Sequence, residues 1–264
     1  MYAFLISLRS EFFKTRTTLA FLSAILLPLV LTLLISSGFF INADKMAAYP
    51  PMMQWMRFTG AFLGVMGTLL LPMLIIFQTY SVNSIEHRSD MWKSLFSLPL
   101  PKWSMYSSKW FYAVLLNALC LSLFATFILT AGHLMSLLKP ELRFDEYNFT
   151  ELLFRVHFKL FLASLGILSI QFLLSVIWDD FLKPMGIGFL LTVFGIICGN
   201  MNWKYAYTIP YSHPMLALKS IMSQVKPESS MVFDMLTKEV YVSLGIAFAT
   251  FIAGYFVVSR RSVK

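Results

Sequence analysis

The sequence predicts an all-α integral membrane protein with six transmembrane helices, and three observations carry that expectation. Hydrophobic residues make up 58% of the 264-residue chain and charged residues only 13%, about half the charged share of soluble domains. Mean hydropathy is +0.72, more apolar surface than a soluble fold can hide. The apolar residues fall into six runs of roughly the 20 residues a helix needs to cross a bilayer. The short alternating strands of a membrane barrel are not seen in the sequence.

Taken in order, the first element precedes the spans. MYAFLISLRSEFFKTRT places Phe4, Leu5, Leu8 and Phe12 at helical spacing and turns Ser7, Glu11 and Lys14 to another side. This is the pattern of an amphipathic helix lying in the membrane interface; a plain extension of span one is the alternative. The spans then cover residues 19–41, 58–82, 111–137, 160–178, 184–201 and 240–258. Each must be a helix, because in lipid every backbone group has to be satisfied within its own segment. The first run is too long for a signal-peptide core and lacks a small-residue cleavage site, so it reads as a retained span. Spans four and five are joined by DDFLK, a tight hairpin in which Asp179 and Asp180 read as a solvated cap.

Two connections are long. Residues 138–159 mix both charges and carry a short surface helix. In residues 202–239, Pro210 and Pro214 break helices, and 215–225 then read as a short helix with apolar Leu216, Leu218, Ile221 and Met222. Half-buried helices dipping back into the membrane suit this composition, provided protein or water covers their joints. There is no internal repeat and no low-complexity linker, so residues 1–264 form a single membrane domain, with 1–17 as its amphipathic start, 84–109 between spans two and three, and 202–239 between spans five and six.

Orientation follows the lysine and arginine bias. Placing both termini in the cytoplasm divides the 21 basic residues almost evenly between the two sides. The assignment therefore rests on those hugging the outer spans, Lys14 and Arg16 before span one and Arg260 and Arg261 after span six. It makes residues 84–110 cytoplasmic.

Several function classes fall away. The net charge of +8 lies mainly between apolar runs, as membrane flanks require, and not in the basic patch of a polar nucleic-acid-binding fold. GxxxxGK[ST], HExxH and GxSxG are all missing from the sequence. His87, His133, His157 and His213 are far apart, and Cys120 and Cys198 sit in separate apolar runs, which gives no metal or disulfide spacing. Acidic residues are nearly excluded from the spans, which argues against a proton- or sodium-driven transporter and against an intramembrane protease. No catalytic, cofactor-binding or metal-binding residue is expected. The mild polar residues within spans, among them Asn117, Gln171 and Ser175, either tie helices together or line a path for an amphiphile. GxxxG at Gly195 and Gly199 would allow close helix approach, as at a subunit interface.

The unusual stretch is SIEHRSDMWKSLFSLPLPKWSMYSSKW, residues 84–110. Glu86, Arg88, Asp90 and Lys93 follow span two directly, with Trp92, Leu95, Phe96 and Leu98 as an apolar stripe beside them. Pro99 and Pro101 stop the helix. On residues alone, a short amphipathic helix docking into a partner's groove and a membrane-hugging loop with snorkelling lysines are equal readings.

The layout resembles a known family. An N-terminal amphipathic helix with E-x-x-K (Glu11, Lys14), two spans, then Glu86, Arg88, Trp92, Leu95, Leu98 and Pro99 with a later Lys109 resembles the permease subunit of ATP-binding-cassette exporters of the type 2 (ABC-2) class. Within that class it is most similar to the small permeases of bacitracin-type and lantibiotic immunity transporters, which also carry a proline-containing segment like YSHPMLAL at 211–218. The resemblance implies a cytoplasmic coupling helix between spans two and three that seats on a separate ABC ATPase, carried here by Glu86, His87, Arg88, Asp90, Trp92, Leu95 and Pro99. It implies a connecting helix with Arg9, Glu11 and Lys14, and short re-entrant helices between spans five and six. The chain itself would be no enzyme and bind no cofactor; ATP and Mg would sit on the partner ATPase. It would pair with a second permease copy or a related permease in a bacterial cytoplasmic membrane, both termini inside. Its substrate would be an amphiphile such as a peptide antibiotic or lipid-linked molecule, with no nucleic acid involved. A membrane anchor or sensor subunit of the same architecture is the alternative.

Overall fold

A computed structural model describes residues 2–88, 100–201, 203–224 and 233–260. Among the described residues the chain is helical throughout, without strands. Helix α1 (Tyr2–Thr15) leads into α2 (Leu19–Ile41), followed by the short α3 (Ala43–Ala47). Helix α4 (Pro51–Val65), a π-helical turn (Met66–Leu70) and α5 (Leu71–Arg88) run on as one span. Then come α6 (Lys102–Leu138), α7 (Thr150–Ile177), α8 (Leu182–Asn200), α9 (His213–Gln224) and α10 (Lys238–Arg260). Six stretches are long and apolar enough to cross a membrane: α2, α4–α5, α6, α7, α8 and α10.

The first span coincides with its apolar run, but others are longer than hydropathy alone suggests. The second and third each extend over 37 residues, so Trp55, Trp103 and Lys109 lie within helices and not in connections. The cause is local: Pro50 and Pro101 are the residues before α4 and α6, and a helix starts readily after the point where a missing N–H costs nothing. Pro214 likewise stands at the start of α9 and does not break it. Within span two, the π turn ends two residues before Pro72, whose ring disrupts the preceding backbone ladder. At the same turn Gly67 admits Leu218 of α9 so closely that a Cβ there would lie 2.1 Å from the leucine Cδ1.

Helix α7 is the centre of the bundle. Of its apolar stretch 67% is buried, against 22% for α2 and for α10. It packs against α10, α5, α6 and α9. Small residues allow this: the Gly166 N–H donates to Ser243 Oγ at 2.9 Å, bringing α10 close. Polar residues within spans mostly tie helices together, as Asn117 Nδ2 to Ser164 Oγ (2.9 Å), Asn83 Nδ2 to Ser175 Oγ (2.8 Å) and Gln171 Nε2 to Tyr211 Oη (2.5 Å). Ser122 and Thr126, in contrast, bond only carbonyls of their own helix.

Candidate functional site

Two ends of the bundle can be told apart by contact. At one end α1, the end of α5, the start of α6 and the ends of α7 and α10 meet. His87 Nε2 lies 2.9 Å from the Ser175 carbonyl, Tyr80 Oη donates to the Asp179 carbonyl at 3.1 Å, and Lys102 Nζ to the Ser259 carbonyl at 3.1 Å. At the other end lie 139–149, α9 and the start of α10.

The first end holds a closed ring of four charges. Lys14 Nζ is 2.9 Å from Glu11 Oε1 and 3.2 Å from Glu86 Oε1. Lys109 Nζ is 2.7 Å from Glu11 Oε2 and 2.7 Å from Glu86 Oε2. Each carboxylate thus bridges both ammoniums with separate oxygens, and the ring is neutral. Lys109 also donates to the Val82 carbonyl at 3.3 Å. Three elements are joined: α1 through Glu11 and Lys14, α5 through Glu86, α6 through Lys109. Ser7 and Ser108 hydroxyls, 2.7 Å apart, extend the seam between α1 and α6.

The local sequence explains the placement. On α1, Ser7, Glu11 and Thr15 recur every four residues and are buried, while Tyr2, Leu5, Phe12 and Phe13 face outward. The polar stripe turns inward because its partners, Ser108 and Lys109, are there, and the apolar side is left to the surroundings. Glu11, Glu86 and Lys109 are all but inaccessible, whereas the Lys14 side chain keeps 28% of its surface. Burial by itself would raise the Glu11 carboxyl; the Lys109 and Lys14 ammoniums outweigh it and hold the group below the usual carboxylate range. Such a ring is a joint and not acid–base machinery, because each of its charges is held between two of the opposite sign. Taking one charge away strands the rest, which costs about 3–5 kcal/mol for a buried pair.

This changes how the sequence-nominated residues are read. Glu86, nominated with the coupling segment, and Glu11, nominated with the connecting helix, have their carboxylates turned into the ring. Arg9 sits on α1 with its guanidinium 5.6 Å from the Phe13 ring. His87 follows Glu86 on α5 and meets α7, and Arg88 ends α5. Asp90, Trp92, Leu95 and Pro99 lie outside the described residues. The ring therefore stands at the root of the segment nominated for coupling.

The glycine face of α8 is a correction. Gly195 and Gly199, expected to serve a subunit interface, are covered by the chain itself. A Cβ on Gly195 would lie 2.6 Å from the Tyr211 carbonyl carbon, and one on Gly199 3.1 Å from Met215 Sδ. The close approach that glycine permits is used for the turn Pro210–Ser212 and for α9.

Sequence reasoning misses Lys159. The apolar run of span four starts at 160, which leaves this lysine in a connection. The helix begins at Thr150, and Lys159 is fully buried. Its Nζ donates to Ser220 Oγ at 2.6 Å and to the Asp234 carbonyl at 2.8 Å, pinning α9 and the approach to α10. A lone lysine in FRVHFKLFLASLG is the available signal. Among the described residues no group of three or more His, Cys, Asp or Glu could hold a metal ion.

No curated protein and no solved structure matches the chain. Residues 7–195 match the family described as ABC-2 family transporter protein, a stretch that spans the ring, the first four membrane-crossing stretches and α8 as far as Gly195. With most of its length matched, the chain belongs to the ABC-2 transporter family and is a multi-pass permease component of an ABC transporter, not itself an ATPase.

Proposed function

We infer that this permease works in an ATP-driven exporter, seated on a separate cytoplasmic ABC ATPase through the segment between α5 and α6. The observation that carries the reading is the closed ring of Glu11, Lys14, Glu86 and Lys109. A motor pressing on residues 89–99 pushes on the ends of α5 and α6. The ring makes those ends and α1 one unit, so displacement passes into the spans and is not absorbed locally. The ring then lies on the cytoplasmic side with both termini, in a bacterial cytoplasmic membrane. Arg88, Asp90, Trp92, Leu95 and Pro99 provide the contact surface; Glu86 and Glu11 act through the ring, as positioning residues. The ATPase holds ATP and Mg. Because the glycine face of α8 is covered, a second permease copy or a related permease must dock elsewhere, and α2 and α10 offer the most exposed apolar surface. The substrate is an amphiphile, a peptide antibiotic or lipid-linked molecule being the nearest candidates.

The test is a pull-down of the tagged chain in mild detergent, read by mass spectrometry. A stoichiometric ABC ATPase is expected, its ATPase rate responding to the permease. Glu86→Gln should weaken that response several-fold with insertion intact. A folded chain recovered alone overturns the reading in favour of an anchor or sensor.

A further inference from the structure

Helix α1 has two faces. The inner one brings Ser7, Glu11 and Thr15 to the seam and the ring. The outer one gathers Tyr2, Leu5, Ile6, Arg9, Phe12 and Phe13 at helical spacing, all exposed. Arg16, also exposed, follows in the turn after the helix. Both guanidiniums lie against one ring, Arg9 at 5.6 Å and Arg16 at 5.1 Å from the centre of Phe13. Glu11, the one acid in residues 1–18, is turned into the ring of charges. Among the described residues neither arginine has a carboxylate partner. The outer face is therefore apolar and cationic, with no anion of its own.

Aromatic contacts fix the level at which this face lies. Phe12 meets Phe21, near the start of α2, edge to face with ring centres 6.0 Å apart. Phe4, toward the other end of α1, meets Phe111 of α6 in the same way, also at 6.0 Å. Phe111 opens the apolar run of the third span. Held at both ends, α1 lies across the roots of two spans and does not project from them. Its outer face runs on into the exposed side of α2, where Leu19, Leu22 and Leu26 stand outward. Water would leave a broad apolar patch solvated, and hydrocarbon would have to take up two guanidiniums. The membrane interface accepts both, with acyl chains beneath the rings and headgroups around the cations.

We propose that the outer face of α1 is a docking site for net-anionic phospholipid, Arg9 and Arg16 pairing with the headgroups while Leu5, Phe12 and Phe13 sit among the upper acyl chains. Charge complementarity selects the lipid: two cations without an anion of their own attract an anionic surface, and a zwitterionic headgroup returns less because its own ammonium opposes them. Continuity with the lipid-facing side of α2 selects the bilayer as the occupant. The same helix carries Glu11 and Lys14, so a lipid that holds α1 also holds, through the ring, the ends of α5 and α6. The lipid composition of the leaflet then bears on how firmly those ends move together. That influence on coupling rests on the permease reading; the lipid contact does not.

Photolabelling tests the contact without any ATPase. The full chain is placed in nanodiscs of phosphatidylcholine and phosphatidylglycerol, one lipid or the other carrying a diazirine in its headgroup, and labelled peptides are mapped after irradiation. Phosphatidylglycerol is expected to label residues 2–16 well above phosphatidylcholine, and less as salt is raised. R9Q/R16Q should lower that label at least about fivefold, the worth of one cation near an anionic surface. R9K/R16K, which keeps both charges, should retain most of it. Equal labelling by the two lipids, or equal loss in both variants, overturns the proposal. So does a face that neither lipid labels and that only a bound ABC ATPase shields from hydrogen exchange, an outcome that gives it to the motor. An ATPase that co-purifies while the lipids label without preference sinks the lipid site alone; selective label with no ATPase partner sinks the permease reading alone.

Discussion

At the ring end, α1, α5 and α6 meet through Glu11, Lys14, Glu86 and Lys109; at the far end, α4, α6 and residues 144–149 meet around Trp55. There the indole is fully buried, donates to the Phe144 carbonyl at 2.8 Å and lies parallel to the Phe149 ring with centres 5.6 Å apart. Phe58 and Phe62 continue the cluster, and Gly132 of α6 leaves room for it. Both junctions bring several elements together, but they fail differently. Aromatic packing is a sum of many small contacts, so loss is graded with the volume removed. The ring is a set of mutually dependent charges: each member is tolerable in its buried place only because the other three are present.

The largest expected effect is therefore a single ring substitution. Lys109→Met leaves two carboxylates facing each other with Lys14 alone between them, and should lower stability by about 3–5 kcal/mol. Adding Glu86→Gln restores a matched pair in Glu11 and Lys14, so the double variant should be more stable than Lys109→Met alone. Thermal unfolding in detergent measures both. A double variant no better than the sum of its parts would show that the four charges are not coupled and erase the contrast between the ends.

The far end should respond by volume instead. Gly132→Ala puts a Cβ within 2.3 Å of the Trp55 ring, and should cost about 1–3 kcal/mol by overpacking. Paired with Trp55→Phe, whose smaller ring makes room, most of that loss should return. Lack of any such rescue in the same unfolding assay would mean that the clash is not with Trp55.

The smallest effect is the one that separates the ends by pH. His213, beside α9, is buried and its imidazole lies below its ordinary value, because burial disfavours the cation despite its hydrogen bond to the Tyr207 carbonyl and the nearby Glu239. The unfolded chain then takes up that proton first, and stability at the far end falls as pH drops below about 6.5. Glu11 also has a lowered value, but from a carboxylate's starting point. Its contribution is complete above about 4.3 and disappears only as pH falls through the lower folded value. Between pH 7 and 5, hydrogen-exchange protection, taken relative to the intrinsic exchange rate at each pH, should fall in 206–224 while protection in 2–15 holds steady. His213→Gln should flatten the first trend; equal loss of protection at both ends would break the comparison.

Much of the architecture is legible in the residues alone. Hydropathy locates all six spans, and Glu11, Lys14, Glu86 and Lys109 stand out by their pattern. What hydropathy does not supply is where helices end, because α6 and α7 run well past their apolar cores, carrying Lys109 and Lys159 into the interior. A lysine's neighbours, not its own hydropathy, decide whether it can stay there. Gly195 and Gly199 make the same point from the opposite direction: the motif correctly signals close approach and is silent about what approaches.

The sequence by itself determined that this chain crosses a membrane, how many times, and that an amphipathic helix precedes the first crossing. These follow from transfer energies that add residue by residue along a local stretch and need no partner. Only the tertiary structure decided that the charges close into a ring, with Lys14 meeting Glu86 across 72 positions and Lys109 meeting Glu11 across 98. It alone decided that the α8 glycines face inward and that a buried lysine holds the far end together. Pairing depends on distances of a few ångströms between segments remote in sequence, and those distances exist only once the helices have packed.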